Sequence, residues 1–402
     1  MIYGVKFLRT KLNAKQNRVR TRYKYYEMKH VTEDLGISTP PKLKAWMSCL
    51  GWCAKAVDSL ADRLDFREFE DDRFNLNEIY QMNNPDVLFR SAILGALISS
   101  CDFIYISYGT DGPRLQVIDG GKATGVIDPM TGMLSEGYAV LDYDEMGAPT
   151  VEAYFVPGQT EIYEKRKGTV QVYLNAAPYP LLVPIINRPD AMRPFGHSDI
   201  SRACMSIVDS AMRTVKRSEI AAEFYSVPQK YVLGTDPDEE AIDKWTAAMS
   251  AILEITKDSD GEKPTVGQFQ QQSMSPHLEQ LKMFASLFAG ETGLTLEDLG
   301  FASGNPASSE AIKAAHENLR LKARSAQRSF ASGFLNAGFL AACVRDNQTY
   351  NRSQVYMTKA KWNPIFEPDA TAMSGFGDAA IKLRQAFPEY FTEEKLNDLL
   401  GV

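Results

Sequence analysis

The sequence predicts an α+β protein, and three observations predict it. The first hundred residues carry apolar side chains at helical spacing. Residues 103–187 break into short Val-, Ile-, Tyr- and Thr-rich runs punctuated by Gly, Pro and Asp. Residues 194–345 return to long helical stretches. At 402 residues the chain can bury a sizeable core and hold more than one domain.

Composition is that of an ordinary globular protein. There are 44 Lys and Arg against 51 Asp and Glu, a net charge of −7. That argues against indiscriminate coating of nucleic acid, and leaves room for a protein that encloses DNA without gripping it. The five cysteines are few and sit mostly in apolar helical patterns, so reduced, buried thiols are expected. No apolar signal segment follows the basic N-terminus, and the longest apolar run, residues 91–101, is too short to span a bilayer. A soluble chain is expected.

Residues 1–30 hold nine bases (from Lys6 and Arg9 to Lys29) against Glu27 alone, with Tyr3, Phe7, Tyr23, Tyr25 and Tyr26 interleaved. Basic residues among aromatics suit binding to a nucleic-acid backbone. The alternative is a helix with a solvated charged face and its aromatics packed beneath. Residues 40–69 read as one amphipathic helix with Leu43, Trp46, Leu50, Cys53, Val57, Leu60 and Leu64 on its stripe. Cys49 and Cys53 then lie one turn apart, but lack a second ligand pair at zinc-site spacing. Residues 84–101 form a buried helix. Strands are expected at 103–108, 115–118, 136–143, 150–156, 160–164 and 169–174, and residues 178–189, with four prolines, form an extended connector.

A helix start is signalled at Pro194-Phe195-Gly196-His197-Ser198-Asp199, with Ser198 and Asp199 as caps. The helix runs to Pro228, and its polar face carries Arg213, Lys216 and Arg217. An excursion over residues 229–275 follows, with strand-like runs at 231–234 and 252–256. Asp236, Asp238, Glu239 and Glu240 crowd the first turn of a short helix between them, where the helix dipole favours acids, and Asp258 and Asp260 mark a later turn. A second helix spans 276–293. Residues 294–309 have the composition of a mobile loop, including Glu297, Asp298, Gly300, Ser303, Gly304, Asn305 and Ser308. A long Ala-rich helix covers 310–345 and carries Lys313, Arg320, Lys322, Arg324 and Arg328. A strand at 355–362 and helices at 369–387 and 392–400 close the chain.

Catalytic signatures are missing. Gly120-Gly121-Lys122-Ala123 lacks the upstream Gly and the hydroxyl of a phosphate loop. His316-Glu317 has Arg320 where a zinc-protease helix needs its second His. His197-Ser198-Asp199 has triad residue types, but adjacent residues cannot align as relay partners. Asp258 and Asp260 lack the closing Glu of a calcium loop. The chain is expected to be no enzyme, with no cofactor and no metal.

The order helix, excursion, helix, Gly/Ser loop, long helix resembles the stem, clip and tunnel-loop order of bacteriophage portal proteins, the head-tail connector rings. Tyr23-Lys24-Tyr25-Tyr26-Glu27 is similar to the family's Tyr-containing segment before the wing, and Val57-Asp58 to its mid-helix Val-Asp pair. Val183-Pro184-Ile185-Ile186-Asn187, followed by Gly196-His197-Ser198-Asp199-Ile200-Ser201, resembles its entry to the stem. The resemblance covers roughly residues 20–345. It departs at residues 293–300, where relatives often carry a Pro.

The resemblance implies an α/β wing (1–193), stem helices at 194–228 and 276–293, and a small α/β clip (229–275). It also implies a tunnel loop (294–309), a long helix (310–345), and a C-terminal segment (346–402) completing the wing and a small helical crown. It implies a dodecameric ring at one capsid vertex, through which double-stranded DNA enters and leaves. The seven tunnel-loop residues named above would face the DNA. Arg213, Lys216, Arg217, Lys313, Arg320, Lys322, Arg324 and Arg328 would face DNA or a neighbouring subunit. The six clip acids would meet the terminase large subunit and the head-tail connector. Major capsid and scaffolding proteins are implied partners, a membrane is not, and the location is the virion after assembly in the host cytoplasm. The rival reading is a soluble DNA-binding factor or enzyme that uses the basic N-terminal arm.

Overall fold

The computed structural model describes residues 2–33, 45–226, 230–233, 265–268, 273–301, 309–366 and 370–386. The basic N-terminal run folds as helix α1 (Val5–Tyr26) and buries Leu8, Leu12 and Val19 on one stripe. Its start is held by a distant acid: the backbone N–H groups of Tyr3 and Gly4 each donate to the Glu136 carboxylate at 2.9 Å. Glu136 is fully buried, and an anion at a helix N-terminus offsets the unpaired N–H groups there. The far end is tied by Tyr25 to Asp209 and by Tyr26 to Asp58.

The helix expected over 40–69 is shorter. Helix α2 is Trp52–Ala61, residues 46–51 before it are not helical, and residues 34–44 lie outside the described residues. Cys49 is therefore exposed and off the helix that carries Cys53. Residues Phe66–Glu70 form strand β1, paired antiparallel with β12 (Lys359–Trp362). Pairing across the chain overrides the local helical period.

Helices α3 (Leu76–Gln81) and α4 (Pro85–Ser99) follow, the latter with Pro85 in its first turn, where a missing N–H costs nothing. Strands β2 (Cys101–Gly109) and β3 (Gly112–Ile118) join β9 (Leu182–Ile186) in a sheet of order β3-β2-β9. The expected connector at 178–189 thus contains a strand, and Pro184 is tolerated because β9 is an edge. A five-stranded antiparallel sheet runs β4 (Ala123–Ile127), β5 (Leu134–Tyr143), β6 (Pro149–Val156), β7 (Gln159–Glu164) and β8 (Thr169–Leu174).

The C-terminal half comprises α5 (Arg202–Ser226), β10 (Lys230–Leu233) paired with β11 (Thr265–Gln268), and α6 (Ser275–Thr292). It continues with α7 (Ser309–Ala315), α8 (Glu317–Arg345), a 3-10 turn (Arg352–Val355), β12 and α9 (Ala370–Ala386). The expected strand at 252–256 and helix at 392–400 lie outside the described residues; the strand that pairs with β10 is residues 265–268.

Helix α8 is the centre of the core. Phe334 packs against Phe66, Phe89 and Trp362, and its carbonyl accepts the Tyr80 hydroxyl at 2.6 Å. Gly333 lets α8 touch β9: a Cβ there would stand 2.7 Å from Ile185 Cδ1. No helix among the described residues is long and apolar enough to cross a membrane.

Candidate functional site

Helices α5 and α6 pack as an antiparallel pair. Ser201 at the start of α5 donates to Glu291 near the end of α6 at 2.9 Å, and Thr214 donates to Gln280 at 3.1 Å. Helix α5 buries Cys204, Val208, Ala211 and Met212, and α6 buries Ala285, Phe288 and Ala289. The opposite side of α6 is apolar but open: Met283 and Leu287, one turn apart, are 50% and 53% exposed.

The entry to α5 differs from the expected cap. The capping hydroxyl is Ser201, which accepts the Cys204 N–H at 3.1 Å. Ser198 instead donates to the Ile98 carbonyl at 2.6 Å, fixing the entry segment to α4. Gly196 makes the turn, with φ +71° and no room for a side chain against the Asn187 carbonyl. The Asp199 carboxylate is buried, 2.8 Å from Lys322 Nζ of α8 and 3.4 Å from Arg188. The lysine contact is an ion pair rather than an aligned hydrogen bond. This cluster joins the segment entering α5 to the second turn of α8.

The segment before α7 is a built turn over residues 294–301. Leu294 and Leu299 are buried. Asp298 accepts from the Thr295 N–H and hydroxyl, each at 2.9 Å, and from His316 Nε2 at 3.1 Å. Burial works against the ionised form, but the Thr295 hydrogen bonds and the neighbouring His316 hold this carboxyl below the usual range. His316 sits at the break between α7 and α8, its other ring nitrogen 2.9 Å from the Ile312 carbonyl.

The site residues expected from sequence separate accordingly. Glu297 and Gly300 lie on the exposed side of this turn, while Asp298 is part of its internal latch. Ser303, Gly304, Asn305 and Ser308 fall outside the described residues, as do Asp236, Asp238, Glu239, Glu240, Asp258 and Asp260. Lys322 is committed to Asp199 within the subunit, and Arg320 pairs with Glu317 at 2.6 Å. Arg213 donates to Ser210 at 3.0 Å. Arg324 and Arg328, one turn apart, are exposed on α8 and make no ion pair with a described residue. Lys216 and Arg217 line a groove with Trp46 and Met47, and Lys313 lies partly buried on α7.

The N-terminal run is helical, but only three of its five aromatics pack beneath it: Tyr3 and Phe7 stack on each other and stay exposed. Tyr23, Tyr25 and Tyr26 pack against the core, and Arg9 is paired with the buried Glu152. Among the described residues no group of three or more His, Cys, Asp or Glu is placed to hold a metal ion. Two features escaped the sequence reading: the Asp199–Lys322 pair and the Met283–Leu287 stripe. The stripe's i, i+4 spacing was visible; the ion pair had no local signal.

Among known proteins, the portal protein of Mycobacterium phage D29 is 26% identical over 392 residues, covering 91% of this chain and 78% of its own. The portal protein of Mycobacterium phage L5 is 26% identical over 384 residues, covering 89% and 77%. No family model matches the chain. A solved chain from the neck of an empty gene transfer agent particle, computed with C6 symmetry, shares the fold with a TM-score of 0.51. It is 13% identical, and the match covers 91% of this chain and 95% of that one.

Proposed function

We propose that this chain, a homologue of the bacteriophage portal proteins, assembles head-to-tail into a ring at one capsid vertex and encloses the path of double-stranded DNA. The observation that carries the reading is a similarity to curated portal proteins that runs over about nine tenths of the chain. A head-to-tail interface that closes gives a ring. Helices α5 and α6 serve as the stem, residues 229–275, which include the β10–β11 pair, as the clip, and residues 294–309 as the tunnel loop.

The physical account is that the channel guides rather than grips. Tight phosphate contacts would stall a moving duplex. Residues 294–309 contain acids, Glu297 and Asp298, and no base. The turn at 294–301 anchors the root of that loop to the start of α8 through His316. Lys322 is committed to Asp199 and Arg320 to Glu317 on its own helix, leaving Arg324 and Arg328 as the α8 bases available to a duplex or a neighbour. The acidic clip is the docking surface for the packaging motor and later for the connector. The role is structural, with chemical work supplied by the motor.

Mass photometry and salt-dependent DNA binding test the reading together. The ring predicts a large closed oligomer with weak affinity for free duplex; a monomer or dimer with a steep salt slope overturns it. Deleting residues 303–308 is expected to leave ring assembly intact and to impair packaging or retention of DNA.

A further inference from the structure

A cavity of about 360 Å³ lies between α1, the α4–β2 corner and the segment entering α5. Its lining contains five cations, Lys11, Lys15, Arg18, Arg22 and Arg193, and no acid. Four of them come from α1 at spacings of four, three and four residues, which puts them on one helical stripe. This is an ordered face, not a scatter of surface charge.

Among the described residues none of these cations forms an ion pair with a carboxylate, although Glu136 favours the charged form of Lys11, and Asp102 and Asp119 that of Lys15. Lys11 and Arg22 donate to the neutral carbonyls of Gly125 and Ser99, each at 2.8 Å. Lys15 lies over the rings of Phe103 and Phe195, 5.1 and 5.9 Å from their centroids. Arg18 is exposed and makes no hydrogen bond or ion pair with a described residue. Arg193 stands 3.4 Å from His197, whose own acid is Asp190. Behind the pocket, Asp102 accepts from Ser99 and the Gly120 N–H, and Asp119 accepts from the Gly121 N–H through one oxygen while its other oxygen is buried without a hydrogen-bond partner among the described residues. Burial pushes Lys15 down to about 8 despite Asp102 and Asp119, and burial with Arg18 and Arg193 nearby lowers Arg22. Crowded, partly desolvated cations are stabilised by a multiply charged anion, and arginine forks match phosphate oxygens.

We propose that this cavity is a phosphate-binding site, taking either free inorganic phosphate or a backbone phosphate of nucleic acid. The site is complete within one subunit and does not depend on the ring. A single chloride leaves most of this volume unfilled, whereas a phosphate or phosphodiester reaches several of the cations at once.

The test uses the full chain at constant ionic strength. Inorganic phosphate is titrated by calorimetry, and a short labelled duplex by fluorescence anisotropy, against wild type, Arg18→Gln, Lys15→Met and the α1 control Lys24→Gln. Phosphate affinity is expected to fall at least about tenfold in Arg18→Gln and Lys15→Met and to stay unchanged in Lys24→Gln. If free phosphate is the ligand, duplex binding is the same in all four proteins. If nucleic acid is the source, duplex binding falls in the same two variants and phosphate competes with it. No phosphate response in wild type, or equal responses in all four, overturns the proposal. Should Lys15→Met fail to fold by circular dichroism, Arg18→Gln decides alone, because Arg18 is exposed and makes no hydrogen bond or ion pair with a described residue.

Discussion

The Asp199–Lys322 pair gives the sharpest quantitative expectation. The Asp199 side chain is 0% exposed and the Lys322 side chain 20%, with 2.8 Å between charges. At an effective dielectric near 20 the direct attraction is about 6 kcal/mol, most of it offset by desolvation of the two ions. Removing one partner leaves the other's desolvation uncompensated, which costs about 3–5 kcal/mol for a fully buried pair. Lys322 and Arg188 both keep solvent contact, so Asp199→Asn, which leaves the two cations without their carboxylate, is expected to cost about 2–3 kcal/mol. Lys322→Met leaves Asp199 buried with Arg188 alone and is expected to cost about as much. The double variant removes both charges, so its loss falls short of the sum by at least about 1 kcal/mol. The assay is urea unfolding followed by circular dichroism and by tryptophan fluorescence, since Trp52 packs on Phe288 of α6. An Asp199→Asn loss below about 0.5 kcal/mol, or strict additivity in the double variant, would refute the reasoning. So would a Lys322→Met protein of full stability with weakened DNA contact, because Lys322 would then belong to the channel.

Three further expectations follow. Glu136→Ala removes the anion that holds the first N–H groups of α1 and the partner of the Tyr154 hydroxyl. It is expected to cost about 1–3 kcal/mol and to speed hydrogen exchange in α1, both absent if the helix start holds itself. Acid should loosen the fold below the ordinary carboxylate range. Asp298 and Glu152 have lowered folded-state pKa values, so the stability they add is present above their unfolded values and is lost as pH falls through the folded ones. In Asp298→Asn this part of the acid dependence shrinks, and an unchanged pH–stability curve would contradict the latch. Charging the open stripe with Met283→Glu and Leu287→Glu should reduce the oligomer at least tenfold in equilibrium constant while leaving subunit circular dichroism unchanged. A variant that still forms rings removes α6's outer face from the interface.

The fold was legible where local pattern and final partners agreed. Strands β2, β3 and β5 to β8 are bounded by Gly, Pro and Asp turns and pair largely with near neighbours in sequence, so their period and punctuation sufficed. Strand β1 was hidden because its partner is at the other end of the chain and a register shift between Phe66 and Glu68 breaks the alternation that marks a strand. Leu64, Phe66 and Phe69 then read as the tail of a helix. Strand β4 is short and carries a central Gly, and β9 contains Pro184, so both lacked the usual signature.

At the site, the order of helices and loop came from periodicity, but the roles of single acids did not. Asp199 beside Ser198 reads as a cap, and only the fold brings Lys322 to it. Asp298 reads as a loop acid, although Thr295 three residues earlier was a local sign of a closed turn. The basic stripe of α1 was visible as charge. Its gathering around one cavity required Arg193 from the segment entering α5.

The central claim concerns where two helices sit in an assembly. Single-particle electron microscopy of the purified protein tests it most directly. The account predicts closed rings with an axial opening, and the α5–α6 pair and the 294–309 loop beside that opening. Isolated subunits, or rings in which α5 and α6 lie on the outer rim, would contradict it.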